Sequence, residues 1–177
     1  MKLECEDNII YEGTKAYRAT NVKELTIKDG TTIIGSHAFA ICSDLKTIDI
    51  PSSVREIGFA SFSNCFNLKN INLHEGLRYI DDLAFYYCKN LEEIRIPSTI
   101  IGISDTAFTR CENLSKIYLP KKVWDLPEIK NFYEKNKDKI EEIKTLDDLL
   151  DETNSFRKVN YLCYNIYIIY LFCRRNK

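Results

Sequence analysis

Phe39, Phe62, Phe85 and Phe108 stand 23 residues apart, and Cys42, Cys65, Cys88 and Cys111 keep the same interval. Leu45, Leu68, Leu91 and Leu114 follow in step. One phrase, A-F-x-x-C-x-x-L-x-x-I-x-I, therefore runs through the chain four times, with Ser61, Leu73 and Leu119 as its variants. A fixed period of this length marks a stacked solenoid. Each repeat is one turn, too small to bury an apolar face alone, and neighbouring turns close a continuous core between them.

Within a unit, Leu45-Lys-Thr-Ile48-Asp-Ile50 alternates apolar and polar residues over its second half, the pattern of a short strand buried on one face. Copies at Leu68–Leu73, Leu91–Ile96 and Leu114–Leu119, with a weaker one at Val22–Ile27, predict five strands at one spacing. Connections of equal length require parallel stacking, because hairpins need shorter links and turn pairs. Pro51, Pro97 and Pro120 end the ladder, having no N–H to donate. A second apolar pair follows, Val54 with Ile57 in one copy and Leu77 with Ile80 in the next, and Gly35 and Gly58 suit a backbone corner. Ser36, Asp82 and Asp105, three residues before each Phe, are expected to N-cap a short helical turn carrying Phe, Cys and Leu on one face. Asn67, Asn90 and Asn113, with Asp44 in the same slot, read as a row that ties down turn backbone groups.

Composition narrows the function classes. The chain of 177 residues is 45% hydrophobic and 29% charged, an ordinary soluble balance. A net charge of −1 with scattered Lys and Arg gives no basic face for nucleic acid. Seven cysteines, an odd number, fit poorly with a fully paired secreted framework. The cysteine row has no C-x-x-C pairs for a metal, and stacked identical positions point the same way, which disfavours disulfides. Buried thiols filling the core are the expectation. His37 and His74 fall at different offsets, so no nucleophile–base arrangement repeats. Neither a cofactor, a metal nor an enzymatic activity is expected.

L-x-x-I-x-I-P-x-x-V-x-x-I-G-x-x-A-F-x-x-C-x-x-L, over roughly residues 20–126, resembles the 23-residue unit of the BspA-like leucine-rich-repeat family of bacterial and protist surface proteins. Lys28 and His74 depart from it at the proline slot, and Asp81 and Ser104 at the glycine. The resemblance implies an α/β repeat solenoid. It would be a right-handed superhelix with a short-stranded parallel sheet on its concave face, short helical turns on its convex side and a helical C-terminal cap. It also implies a non-catalytic module, of adhesion or host-interaction type, that binds a protein or glycan ligand through that sheet. The outward strand residues would then carry binding: Glu24, Thr26, Thr47, Asp49, Asn70, Asn72, Glu93, Arg95, Lys116 and Tyr118. Five such strands outline roughly 400 Å², against about 800 Å² per partner in a standard interface.

The ends are read as separate pieces: an N-terminal cap over 1–20, the solenoid of about five turns over 21–126, a helical cap over 127–158 and an apolar tail over 159–177. Ile9, Ile10, Tyr11 and Tyr17 are candidates to cover the first turn. Beyond Leu126 the repeat is expected to stop, because its next Phe and Cys slots hold Asn131 and Glu134. Pro127 to about Ile143 reads as an amphipathic helix, with a second behind Thr145. Val159–Cys173 carries no charge. As a helix it would span about 22 Å, short of the roughly 30 Å of a bilayer core. Packing is the reading preferred there, and a membrane-tethered scaffold is the alternative. The first residues, Met1-Lys2-Leu3-Glu4, lack the apolar core of a signal peptide, so a cytoplasmic protein is expected, with cell-surface or membrane-associated placement the alternative.

Overall fold

Parallel pairing at the repeat interval generates the architecture. The computed structural model describes residues 2–4 and 23–143. One line of strands comprises β1 (Lys2–Glu4), β2 (Glu24–Thr26), β4 (Thr47–Ile50), β6 (Asn70–Leu73), β8 (Glu93–Arg95), β10 (Lys116–Pro120) and β11 (Ile140–Ile143). Partners stand 23 residues apart, as in Thr47↔Asn70, Lys116↔Glu93 and Ile117↔Ile140; only the first pair, Lys2↔Glu24, is offset by 22. β1-β2-β4-β6 form one hydrogen-bonded sheet and β8-β10-β11 another, so the ladder parts between β6 and β8. A second line, β3 (Ile33–Ile34), β5 (Glu56–Ile57), β7 (Tyr79–Ile80) and β9 (Gly102–Ile103), takes the second apolar pair of each repeat into its own parallel sheet.

The third side of each turn is not the helical turn expected behind Ser36, Asp82 and Asp105. Among the described residues these segments are strings of tight turns. Amides alternate between partners: Ala38 N–H bonds Gly35 O within the turn, whereas His37, Phe39 and Ile41 donate to Phe59, Ser61 and Ser63 of the next turn at 2.8–2.9 Å. The same rungs recur from Ala60, Phe62 and Asn64 to Asp82, Ala84 and Tyr86. Bonding between turns thus displaces the local helical pattern. Left-handed backbone accompanies this pattern at His37, Ile41, Ala60, Asn64, Leu83, Tyr87 and Arg110, where φ is 50–62°. Asp82 takes the hydroxyls of Ser104 and Thr106 from the next turn instead of capping a helix.

Inside, the rings of Phe39, Phe62, Phe85 and Phe108 stack at centroid steps of 5.3, 5.4 and 5.3 Å. The cysteine row lies beside them, and its thiols do more than fill space. Cys65, Cys88 and Cys111 Sγ donate to the carbonyls of Phe39, Phe62 and Phe85 at 3.3, 3.3 and 3.1 Å. Gly58 is required for close approach, since a Cβ there would meet Ile34 O at 2.8 Å. Corners are tied across turns as well. Gly30 and Gly76, at φ 93° and 115°, donate their N–H to Ser53 and Thr99 hydroxyls one repeat on. The asparagine row bonds side chain to side chain, Asn90 Nδ2 to Asn67 Oδ1 at 3.2 Å, instead of to backbone.

The repeat does not stop at Leu126. Helix α1 (Pro127–Asn136) replaces the turn string and buries Ile129 and Phe132. Phe132 meets Phe108 at 5.9 Å, extending the ring stack from one residue beyond the expected slot. The helix expected through Ile143 ends at Asn136, whose side-chain amide donates to Phe132 O, and Ile140–Ile143 is strand β11. Ladder pairing to Ile117, available one full period on, prevails over helical amphipathicity there. The candidate cap residues Ile9 to Tyr17, the helix behind Thr145 and the tail over 159–177 lie outside the described residues. No described helix is long and apolar enough to cross a membrane.

Ser61 stands in the row of Ala38, Ala84 and Ala107, fully buried, with its hydroxyl unpartnered. Ser61→Ala should therefore raise unfolding stability in urea by about 1 kcal/mol. Phe85→Ala, which removes a ring stacked on both faces, should lower it by about 3–5 kcal/mol.

Candidate ligand-binding face

From Leu25 onwards, strand alternation sorts the first strand line into a buried row and two solvent columns. Leu25, Ile48, Ile71, Ile94 and Ile117 point inward. In register, the first column runs Thr47, Asn70 and then Glu93, Lys116, with Glu24 the register partner of Thr47; the second runs Thr26, Asp49, Asn72 and then Arg95, Tyr118. Nine of the ten residues expected from the sequence therefore share one strand face, and Glu24 holds the matching register position in β2. From Thr26 to Lys116 the side chains are exposed, and Tyr118 is half-buried.

Neighbouring turns couple these side chains in three pairs. His74 Nε2 meets Asp49 Oδ1 at 2.7 Å. The Arg95 guanidinium lies 4.1 Å from the centre of the Tyr118 ring. Lys116 Nζ meets Glu141 at 3.0 Å, and that carboxylate is the main cause holding the Lys116 pKa above its ordinary value. His74 and Glu141 were missed as face residues. Each left a signal: His74 fills a proline slot, and Glu141 lies 23 residues after Tyr118.

Two shallow depressions mark the face. One, of about 430 Å³, is lined by Leu25, Thr47, Ile48, Asp49, Asn70 and Asn72. The other, of about 320 Å³, lies over the parting between β6 and β8, bounded by Asn70, Asn72, His74, Glu93 and Arg95 above Ile71, Leu73 and Ile94. Carboxylate, amide and hydroxyl groups lie towards β4, and an arginine on an aromatic ring towards β10. Amides both donate and accept. A planar cation held on a ring is a stiff anchor of the kind that dominates protein interfaces.

The cysteine row stays chemically quiet. Burial, reinforced by the neighbouring thiols, pushes the Cys65 and Cys88 pKa values well up, and burial raises Cys111 to about 12. The described residues include no group of three or more His, Cys, Asp or Glu placed to hold a metal ion.

Parallel strands one period apart, four of them preceded by a row of buried leucines (Leu45, Leu68, Leu91 and Leu114), define a leucine-rich-repeat protein. The chain belongs to the family described as BspA type leucine rich repeat region, whose model matches six copies over residues 11–149. No curated protein matches the sequence. Among solved structures, the leucine-rich-repeat protein of T. pallidum is similar at 25% identity and a TM-score of 0.59, over 67% of this chain and 52% of that one. A leucine rich cell surface protein from Faecalibacterium prausnitzii is similar at 30% identity and a TM-score of 0.58, over 70% and 32%. A leucine-rich-repeat protein from Bacteroides ovatus matches at 28% and 0.56, over 70% and 40%. The matched region thus spans about half or less of these relatives' length.

Protonated thiols in the core give stability a definite pH dependence. The folded pKa of Cys111 is raised from 9.0 to about 12. Its contribution is therefore complete below pH 9 and is lost as pH rises towards 12, because the unfolded chain releases the proton first. Urea midpoints should fall across that window, and less steeply for Cys111→Ala. At pH 8, alkylation mapped by mass spectrometry should leave Cys65 and Cys88 unmodified until urea unfolds the chain.

Proposed function

We propose that the chain is a non-catalytic protein-binding module of adhesion type, with its strand face as the concave binding surface. One observation carries this reading. The core rows repeat almost without change, whereas the outward columns in register with them change identity at every turn: Asp49, Asn72, Arg95 and Tyr118 in one, Thr47, Asn70, Glu93 and Lys116 in the other. A surface serving only solvation has no need of a paired Arg95 and Tyr118 or of a histidine in place of proline. Resemblance to a cell surface protein of F. prausnitzii supports the adhesion type.

The turns coil with the right hand favoured by parallel crossovers, and α1, with Ile129 and Phe132 buried, forms the third side of the last described turn. Six strands, β2 to β11 along this line, carry the face at about 4.8 Å spacing, one more than the five expected. The partner is an elongated protein segment lying across the strands, with glycan binding on this face the lesser expectation. Mixed charge on the face favours specificity over strong electrostatic capture.

The combined variant Asp49→Ala, Asn72→Ala, Arg95→Ala and Tyr118→Ala tests this reading. Its side chains stand on the solvent side, so its melting temperature should stay within a few degrees of the parent. Capture of the partner recovered by the parent in a pull-down should be abolished. Undiminished capture by the folded variant would rule out the face as the site.

A further inference from the structure

Apart from the strand face, aromatic and cationic side chains gather where the turn string leads back to the strand. The columns responsible lie among the irregular ones. Ser43, Phe66, Lys89 and Glu112 share one repeat position; Ile41, Asn64, Tyr87 and Arg110 share another; Tyr86 replaces Ala40 and Ser63 in a third. Phe66 meets Tyr87 edge to face at 5.4 Å, and Tyr86 lies 5.9 Å from Tyr87. Two cations share the Tyr87 ring: Lys89 Nζ lies 4.6 Å from its centre and the Arg110 guanidinium 5.9 Å. Lys89 has Glu112 at 3.7 Å, whereas Arg110 meets no carboxylate within ion-pair distance among the described residues.

Backbone geometry makes this gathering costly to keep. Ile41, Asn64, Tyr87 and Arg110 have φ of 62°, 60°, 60° and 61°, a left-handed conformation that suits asparagine and strains bulky side chains. Asn64 shows the easy solution. Ile41, Tyr87 and Arg110 all keep large side chains at strained positions, and the latter two meet in the aromatic–cation cluster.

We propose that Phe66, Tyr86, Tyr87, Lys89 and Arg110 form a second binding site, for a sulfated polysaccharide. The flat C–H faces of sugar rings match tyrosine and phenylalanine rings, and sulfate groups match two cations held against one ring. An acidic peptide would satisfy the cations and leave the rings uncovered, which makes it the less suited partner. The protein carries a net charge of −1, so capture of an anionic polymer has to come from a local patch and not from overall charge.

The test uses the full chain on immobilised heparin at low salt. The parent should be retained and released as salt rises, since salt screens exposed charges. Tyr87→Asn/Arg110→Asn places the favoured residue at both strained positions, so it should melt at or above the parent's temperature while its heparin affinity falls about tenfold or more. Arg110→Gln alone, which leaves every ring in place, should weaken binding several-fold. Lys121→Gln/Lys122→Gln, a basic pair elsewhere on the chain, should bind like the parent. Failure of the parent to bind overturns the proposal. So does equal retention on polyglutamate, undiminished binding by the folded Tyr87/Arg110 variant, or an equal loss in the Lys121/Lys122 variant.

Discussion

The step from one turn to the next is the constraint on which everything else here depends. Two strand ladders and one ladder of turn amides must advance by the same amount per repeat, and parallel pairing sets that amount near 4.8 Å. The phenylalanine rings follow with centroid steps of 5.3–5.4 Å, and from Phe62 to Phe108 they lie nearly parallel, 4–5° apart. A side chain in an inner column touches its own copy above and below, so its size is limited by its twin. That is why the inner columns repeat and why the thiol fits: it is small, apolar and still able to donate to a buried phenylalanine carbonyl.

The same step explains the third side of the turn. Local helical bonding would direct every amide within its own repeat. Alternate amides instead reach the next turn, with left-handed backbone at positions such as Ile41 and Tyr87. Left-handed residues cost of order 1–2 kcal/mol each, and the inter-turn hydrogen bonds and the packing of the ring stack offset that cost.

Spacing alone made the period, the parallel strand line and its two outward columns legible. The turn strings were not, because Phe, Cys and Leu three residues apart suit a helical turn and a string of tight turns equally well; bonding to the next turn decides between them. Past Leu126, the Phe slot at Asn131 hid a continuing repeat whose ring moved one position to Phe132. Ile140 followed Ile117 by a full period, yet its neighbours also suited an amphipathic helix, and only ladder pairing resolves the two patterns. Of the face, the outward positions from Thr26 to Tyr118 were visible from alternation. His74 and the pairing of Arg95 with Tyr118 required knowledge of which turns are adjacent.

In the reading proposed above, this scaffold separates stability from recognition: inner columns hold the turns and outer columns differ from turn to turn. Hydroxyl-radical footprinting of the folded chain, with and without its captured protein partner, tests that separation most directly. Tyr118 and His74 on the strand face should become protected, while Tyr79, 45% exposed on the second sheet, should react as before. Protection at Tyr79 with Tyr118 and His74 unchanged would contradict the assignment of recognition to the strand face.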